Sequence, residues 1–126
     1  MTEDKLVHEI DLQTVSIPEL DFVCDFVLRC TKKGYIHGLC LWFDSLFTHG
    51  KEVVNLTTSP HCKPTHWKQG LMYLRNPLPV CEGDNVYIKL VLKKSKDNPR
   101  NLDLRVDYSL KNELCSIKET QFFLFK

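Results

Sequence analysis

Residues 102–110 read LDLRVDYSL, and every second side chain is apolar or aromatic: Leu102, Leu104, Val106, Tyr108 and Leu110, set against Asp103, Arg105, Asp107 and Ser109. Side chains alternate between faces along a strand, so this run predicts a β-strand with one buried face and one wet face. The same period recurs upstream. In FVCDFVLRC (22–30) the residues Phe22, Cys24, Phe26, Leu28 and Cys30 share a face, with Asp25 and Arg29 opposite. In VYIKLVLKK (86–94) the inward set is Val86, Ile88, Leu90 and Leu92, with Lys89 and Lys93 outward. Half-buried strands of this kind are the mark of antiparallel sheet.

Between these runs, YIHGLCLWFDSLF (35–47) is apolar on both faces, which predicts a central strand covered on both sides. Gly38 within it predicts a bulge or the close approach of another backbone. With VHEIDL (7–12), VVNLTT (53–58), WKQGLMYL (67–74) and QFFLF (121–125) the chain offers about eight strands, joined by turn signals at Gly50-Lys51, Gly83-Asp84 and Asp97-Asn98-Pro99. The expected fold is an all-β antiparallel barrel or barrel-like sandwich. SIPEL (16–20) adds one helical turn, with Ser16 as N-cap, Glu19 three residues later and Pro18 tolerated in the first turn.

A chain of 126 residues is expected to form one domain, 1–126, around one core. Net charge of +1 and a charged fraction of 26%, spread along the sequence, argue against an electrostatic grip on nucleic acid or on an acidic membrane. The local exception, Lys89 to Arg100, also holds Asp97 and reads as a strand end running into a solvated hairpin tip. No apolar run approaches the roughly 18 residues a membrane span needs. The six cysteines form no C-x-x-C pair, and no signal peptide precedes them, so reduced thiols in a cytoplasmic or nuclear protein are expected. Cys24, Cys30 and Cys40, inside hydrophobic runs, read as small apolar fillers.

One segment crowds reactive side chains together. LTTSPHCKPTHWKQ (56–69) holds two of the five histidines, one of the two tryptophans and two of the six prolines. His61, Cys62 and His66 can all bind zinc, but a fourth ligand is missing and the spacing fits none of the usual closed-site patterns. Cys62 activated by His66 would be a nucleophile, yet nothing nearby marks an oxyanion site. The plain alternative is a stiff connection in which Trp67 plugs the barrel. Against it, Pro60 and Pro64 fix a loop ending in Thr65-His66-Trp67, which presents an imidazole from a constrained backbone, as a site requires.

LTTSP followed by THWKQ resembles the Thr-His-Trp loop of the type I protein arginine methyltransferases. VHEIDLQTVSIPELDF resembles the strand and turn that open the later part of that family's C-terminal barrel, and IHGLCLWFDSLF its HG-x-x-x-WF strand. NPLPVCEGDNVY and DNPRNLDLRVDY follow in the family's order, so the resemblance runs from Val7 to Tyr108.

The resemblance implies an S-adenosylmethionine-binding domain of Rossmann type followed by this barrel, with the target arginine of a protein substrate held in the cleft between them. His66 would pair with an acidic group of the methyltransferase domain and position the substrate, and Thr65 and Trp67 would shape the pocket wall. The family's paired glutamates, cofactor loop, dimerisation arm and first barrel strand would all precede Met1, and no G-x-G occurs in the chain. The chain is therefore expected to be a C-terminal barrel, incomplete without its catalytic partner domain. By itself it should be monomeric and inactive and should bind no cofactor, whereas the full enzyme would be a homodimer making asymmetric dimethylarginine. The alternative is a non-catalytic barrel that serves as a protein-interaction module.

Overall fold

The computed structural model describes every residue from Met1 to Lys126. Eight strands follow one 3-10 turn (Ile17–Leu20): β1 (Phe22–Arg29), β2 (Gly34–Leu41), β3 (Asp44–Phe47), β4 (Val54–Thr57), β5 (Gly70–Val80), β6 (Asn85–Lys94), β7 (Leu102–Lys111) and β8 (Ser116–Phe125). The fold is all-β and antiparallel, as expected. The chain divides into two compact units, Met1–His37 with Leu74–Lys126, and Gly38–Tyr73.

The larger unit is built on the sheet β1-β6-β7-β8. Its register carries the sequence period across four strands, so that Phe26, Ile88, Tyr108 and Glu119 stand in one row. Val86, Ile88, Leu90, Leu104, Val106, Tyr108 and Leu110 are buried, and the alternate positions face outward. Each such aliphatic side chain stabilises the fold by about 1.5–3 kcal/mol relative to exposure. The Tyr108 hydroxyl has one hydrogen and two acceptors, Glu119 Oε2 at 2.7 Å and Gln121 Oε1 at 2.9 Å. Burial, and then the Glu119 carboxylate, push its pKa upward.

The turns at one end of this sheet are tied together. Gly83 takes φ +86, which suits a residue without Cβ. Next to it, the Asp84 carboxylate accepts the Cys81 N–H at 2.8 Å and Asn112 Nδ2 at 2.6 Å. Those two bonds, the Cys81 N–H first, hold the Asp84 carboxyl below its ordinary range. SIPEL forms its one turn, with the Ser16 N–H donating to Glu19 Oε2 at 2.7 Å.

The strands lie in three separate sheets rather than one closed ring, the others being β2-β5 and β3-β4. One cause lies in β5. Its Arg75 N–H donates to the side-chain Oε1 of Gln121 in β8 at 2.8 Å, not to a backbone carbonyl. N–H groups two residues apart point to the same strand edge, and the next two on that edge belong to Pro77 and Pro79, which lack them. The Pro79 carbonyl is taken by Asn112 Nδ2 at 3.1 Å. Side chains, rather than a ladder, join β5 to the β7-β8 hairpin.

Two strand expectations need correction, and they cancel in the total of eight. Residues 7–12 form no strand: their apolar positions, Val7, Ile10 and Leu12, do not alternate, and His8 instead stacks on Phe22 with ring centroids 3.9 Å apart. Residues 35–47 are not one covered central strand but two, β2 and β3, each paired on one edge only. Tyr35, Phe43, Leu46 and Phe47 are exposed, as is Cys40, which is no core filler. The interruption falls at Phe43, where the Thr58 hydroxyl accepts the Phe43 N–H at 3.0 Å and donates to the Phe43 carbonyl at 2.9 Å. A side chain there replaces a ladder partner. β8 is longer than QFFLF, and β5 begins at Gly70 and runs on through both prolines to Val80.

Gly38 is a close approach, as expected. A Cβ built there would lie 2.7 Å from the Met72 carbonyl oxygen.

Candidate functional site

The connection from β4 to β5 carries the Thr-His-Trp residues, and its shape is set by hydroxyl and amide side chains. Thr58, 1% exposed, is the one buried polar residue of the chain. Besides its side-chain bonds to Phe43, its N–H donates to the Phe43 carbonyl at 3.0 Å. Its own carbonyl accepts Gln69 Nε2 at 2.7 Å, so the residue that opens the loop also holds the residue that ends it.

Within that clamp the first bend is local chemistry. The Ser59 N–H donates to Thr57 Oγ1 at 3.1 Å, the His61 N–H to Ser59 Oγ at 3.2 Å, and the Cys62 N–H to the Ser59 carbonyl at 3.1 Å. This is a β-turn with Pro60 at its second position, where a fixed φ is favourable. His66 and Trp67 form the second turn. Lys68 follows at φ +59, a left-handed backbone that costs a residue with a Cβ about 1–2 kcal/mol.

The three expected site residues fare differently. Thr65 is half-buried, and its hydroxyl is the single buried side-chain polar atom without a hydrogen-bond partner. His66 is exposed and sits edge-on to Trp67, with centroids 6.1 Å apart. Trp67 is 59% exposed, so it plugs nothing; its ring meets Phe43 edge-on at 6.3 Å. Trp42 makes the equivalent contact to His61 at 6.2 Å. The loop thus offers an imidazole and an indole to solvent beside a short aromatic row. The Thr58–Gln69 hydrogen bond braces the loop in addition to Pro60, which sits in the first turn, and Pro64. Gln69 lies inside THWKQ and Thr58 inside LTTSP, but nothing in their spacing announces that they bond.

No three His, Cys, Asp or Glu side chains converge on a point where a metal could bind, and Cys62 is an exposed free thiol. The residues of this chain do not fit S-adenosylmethionine either. A Rossmann-type site needs a glycine-rich turn opening onto a helix N-terminus, and the helical element present is a single 3-10 turn.

Fold and site together define an antiparallel, barrel-like β domain that presents one braced loop. Residues 1–113 match the family described as the arginine methyltransferase oligomerization subdomain, and the chain belongs to that family. It is 32% identical over 123 residues to the probable protein arginine N-methyltransferase 1.2 of Arabidopsis thaliana, covering 98% of this chain and 34% of that protein. It is 34% identical over 118 residues to protein arginine N-methyltransferase 1 of Caenorhabditis elegans, covering 94% and 34%. Among solved structures, it superposes on the Trypanosoma brucei PRMT1 enzyme–prozyme heterotetrameric complex with AdoHcy with a TM-score of 0.91 and 32% identity, covering 95% of this chain and 38% of that one. The Arabidopsis thaliana protein arginine methyltransferase 10, in an open conformation, gives 0.86 and 27%, covering 98% and 38%. The chain spans about a third of the length of the curated relatives and corresponds to their C-terminal subdomain.

Proposed function

We propose that residues 1–126 are the substrate-side barrel domain of a type I protein arginine N-methyltransferase, an enzyme that makes asymmetric dimethylarginine in the cytoplasm or nucleus. The loop held between Thr58 and Gln69, with His66 exposed at its second turn, is the observation that carries the reading. A guanidinium is basic and delocalised, and so a poor nucleophile. Methylating it depends on holding one nitrogen in line with the methyl donor, and such positioning can account for several kcal/mol of the barrier.

In this reading the carboxylates that orient the guanidinium, and the site for S-adenosylmethionine, belong to a separate methyltransferase domain. His66 pairs with one of that domain's acidic groups and fixes it, while Thr65 and Trp67 form the adjoining wall of the arginine pocket. The Thr65 hydroxyl, buried and unpartnered, supports a polar neighbour supplied from outside this chain. The enzyme acts as a homodimer on arginine-containing protein substrates, while the isolated chain is monomeric, binds no cofactor and transfers no methyl group.

A chimaera tests this. Residues 1–126 replace the corresponding C-terminal third of the Arabidopsis thaliana relative, and methyl transfer to an arginine-rich peptide is followed with a product assay that separates asymmetric from symmetric dimethylarginine. Turnover to the asymmetric product, lost by tenfold or more on His66→Ala, is expected. An unchanged rate in the His66→Ala chimaera removes the assigned role. A folded but inert chimaera points instead to a non-catalytic interaction module.

A further inference from the structure

We propose a second interaction surface, on the outward face of the four-stranded sheet β1-β6-β7-β8, that docks an extended acidic polypeptide segment. This face shares no residue with the Thr-His-Trp loop. It carries an open cavity of about 760 Å³ whose rim and floor include Asp25, Val27, Tyr87, Lys89, Arg105 and Lys118.

The chemistry of the face is uneven. The whole chain has a net charge of only +1, yet on this face Arg29, Lys89, Lys93, Arg105, Lys111 and Lys118 stand against Asp25, Asp103 and Asp107. One of those carboxylates is already spent, because Asp107 accepts Thr120 Oγ1 at 2.6 Å and Arg105 Nε at 2.9 Å. That bond orients the Arg105 guanidinium and engages only its Nε. Lys118 makes no ion pair. A guanidinium held by one edge is a ready receptor for a carboxylate on its other edge.

Large apolar groups lie among these cations. Phe122 is 76% exposed, and Val23, Val27, Tyr87 and Leu124 are exposed with it, all on outward positions of the sheet. Register sets them in two groups, Val23, Val27 and Tyr87 on β1 and β6 and Phe122 and Leu124 on β8, with Lys89, Arg105 and Asp107 between; exposed apolar groups interleaved with charge in this way suit a docking surface. Register places Phe122 directly across from Arg105, with Lys118 four residues back along β8, about 13 Å away at strand rise.

This pattern selects the occupant. A nucleic-acid backbone needs an unbroken basic track, and here Asp25 and Asp103 interrupt it. An extended polypeptide repeats its side chains on one face every two residues, the same interval that separates Lys118, Thr120, Phe122 and Leu124. One carboxylate on such a segment reaches Lys118 and a second reaches Arg105, beside which an apolar side chain on the same face of the segment covers Phe122.

The test is fluorescence anisotropy of the 126-residue chain with a labelled twelve-residue peptide, three repeats of Glu-Ser-Val-Ser, which when extended sets glutamate and valine in turn along one face. The charge-reversed peptide, three repeats of Lys-Ser-Val-Ser, and a single-stranded oligonucleotide serve as controls. Saturable binding of the acidic peptide alone is expected, weakening as ionic strength rises. Lys118→Glu and Phe122→Ser, both at exposed positions, should each weaken it at least about fivefold without lowering Tm, while His66→Ala leaves it unchanged. The proposal is overturned by equal binding of the lysine peptide or the oligonucleotide, or by variants that bind as the parent does. Sedimentation showing that Lys118→Glu or Phe122→Ser converts a dimer of this chain to monomer would also overturn it, assigning the face to self-association.

Discussion

Gln69 closes the candidate loop on Thr58, its Nε2 donating to the Thr58 carbonyl at 2.7 Å across eleven residues. Thr58 in turn holds Phe43 at the break between β2 and β3, so one buried threonine fixes both the loop's mouth and the strand beside it. Thr58→Val keeps the shape but removes the hydroxyl, leaving the Phe43 N–H without its acceptor. A loss of about 1–3 kcal/mol in denaturant unfolding is expected, with Gln69→Leu costing about 1 kcal/mol. In the active chimaera both variants should lower methyl transfer although neither touches substrate.

How much of this was legible beforehand depends on what each feature is made of. The sheet β1-β6-β7-β8 is written in the alternation of residues 22–30, 86–94 and 102–110, because burial on one face demands period two. The failure at residues 35–47 has a different origin. Apolarity on both faces says that a strand is to be covered, not by what, and within this chain Phe43, Leu46 and Phe47 remain uncovered. The open edge of β5 is legible in Pro77 and Pro79, since prolines at alternate positions in a strand mark an edge that cannot donate. The Thr65-His66-Trp67 loop was found by resemblance, whereas its clamp is a long-range hydrogen bond that leaves no periodic trace.

Gly38 offers a steric test inside β2. A methyl group there meets the Met72 carbonyl oxygen at 2.7 Å, and a backbone atom cannot turn aside as a flexible side chain would. Gly38→Ala should cost about 1–3 kcal/mol in unfolding free energy. Gly50→Ala, where the nearest atom is 3.3 Å away, should cost less.

Lys68 should respond in the opposite sense. Its φ of +59 is one that glycine adopts freely, so Lys68→Gly relieves strain of about 1 kcal/mol, less the entropy that glycine adds to the unfolded chain. A small rise in Tm is expected, against a marked fall for Lys68→Pro, whose ring fixes φ near −65°.

Asp84 sets an acid limb of stability. Its folded pKa lies below the unfolded value, chiefly through the Cys81 N–H and then Asn112. The group therefore stabilises the fold above about pH 4, and its contribution is lost as the pH falls through the depressed folded value. Asp84→Ala should be less stable than the parent at neutral pH, and the two unfolding curves should converge in acid. Parallel curves down to pH 2 would mean that the bonds to Cys81 and Asn112 do not favour the ionised form.

Tyr108 sets the alkaline limb. Burial and the neighbouring Glu119 carboxylate both raise its folded pKa above the unfolded value of about 10. The folded state holds this proton more tightly, so the contribution is complete below about pH 10 and is lost as the pH rises beyond it toward the folded value. Tyr108→Phe keeps the ring in the core but removes the hydroxyl that donates to Glu119, while Gln121 Oε1 still accepts the Arg75 N–H; it should cost about 1 kcal/mol at neutral pH. Above pH 10 that difference should shrink, and ultraviolet titration should lose its last-ionising tyrosine. If the last-ionising tyrosine persists in Tyr108→Phe, the buried hydroxyl is not the group that resists ionisation.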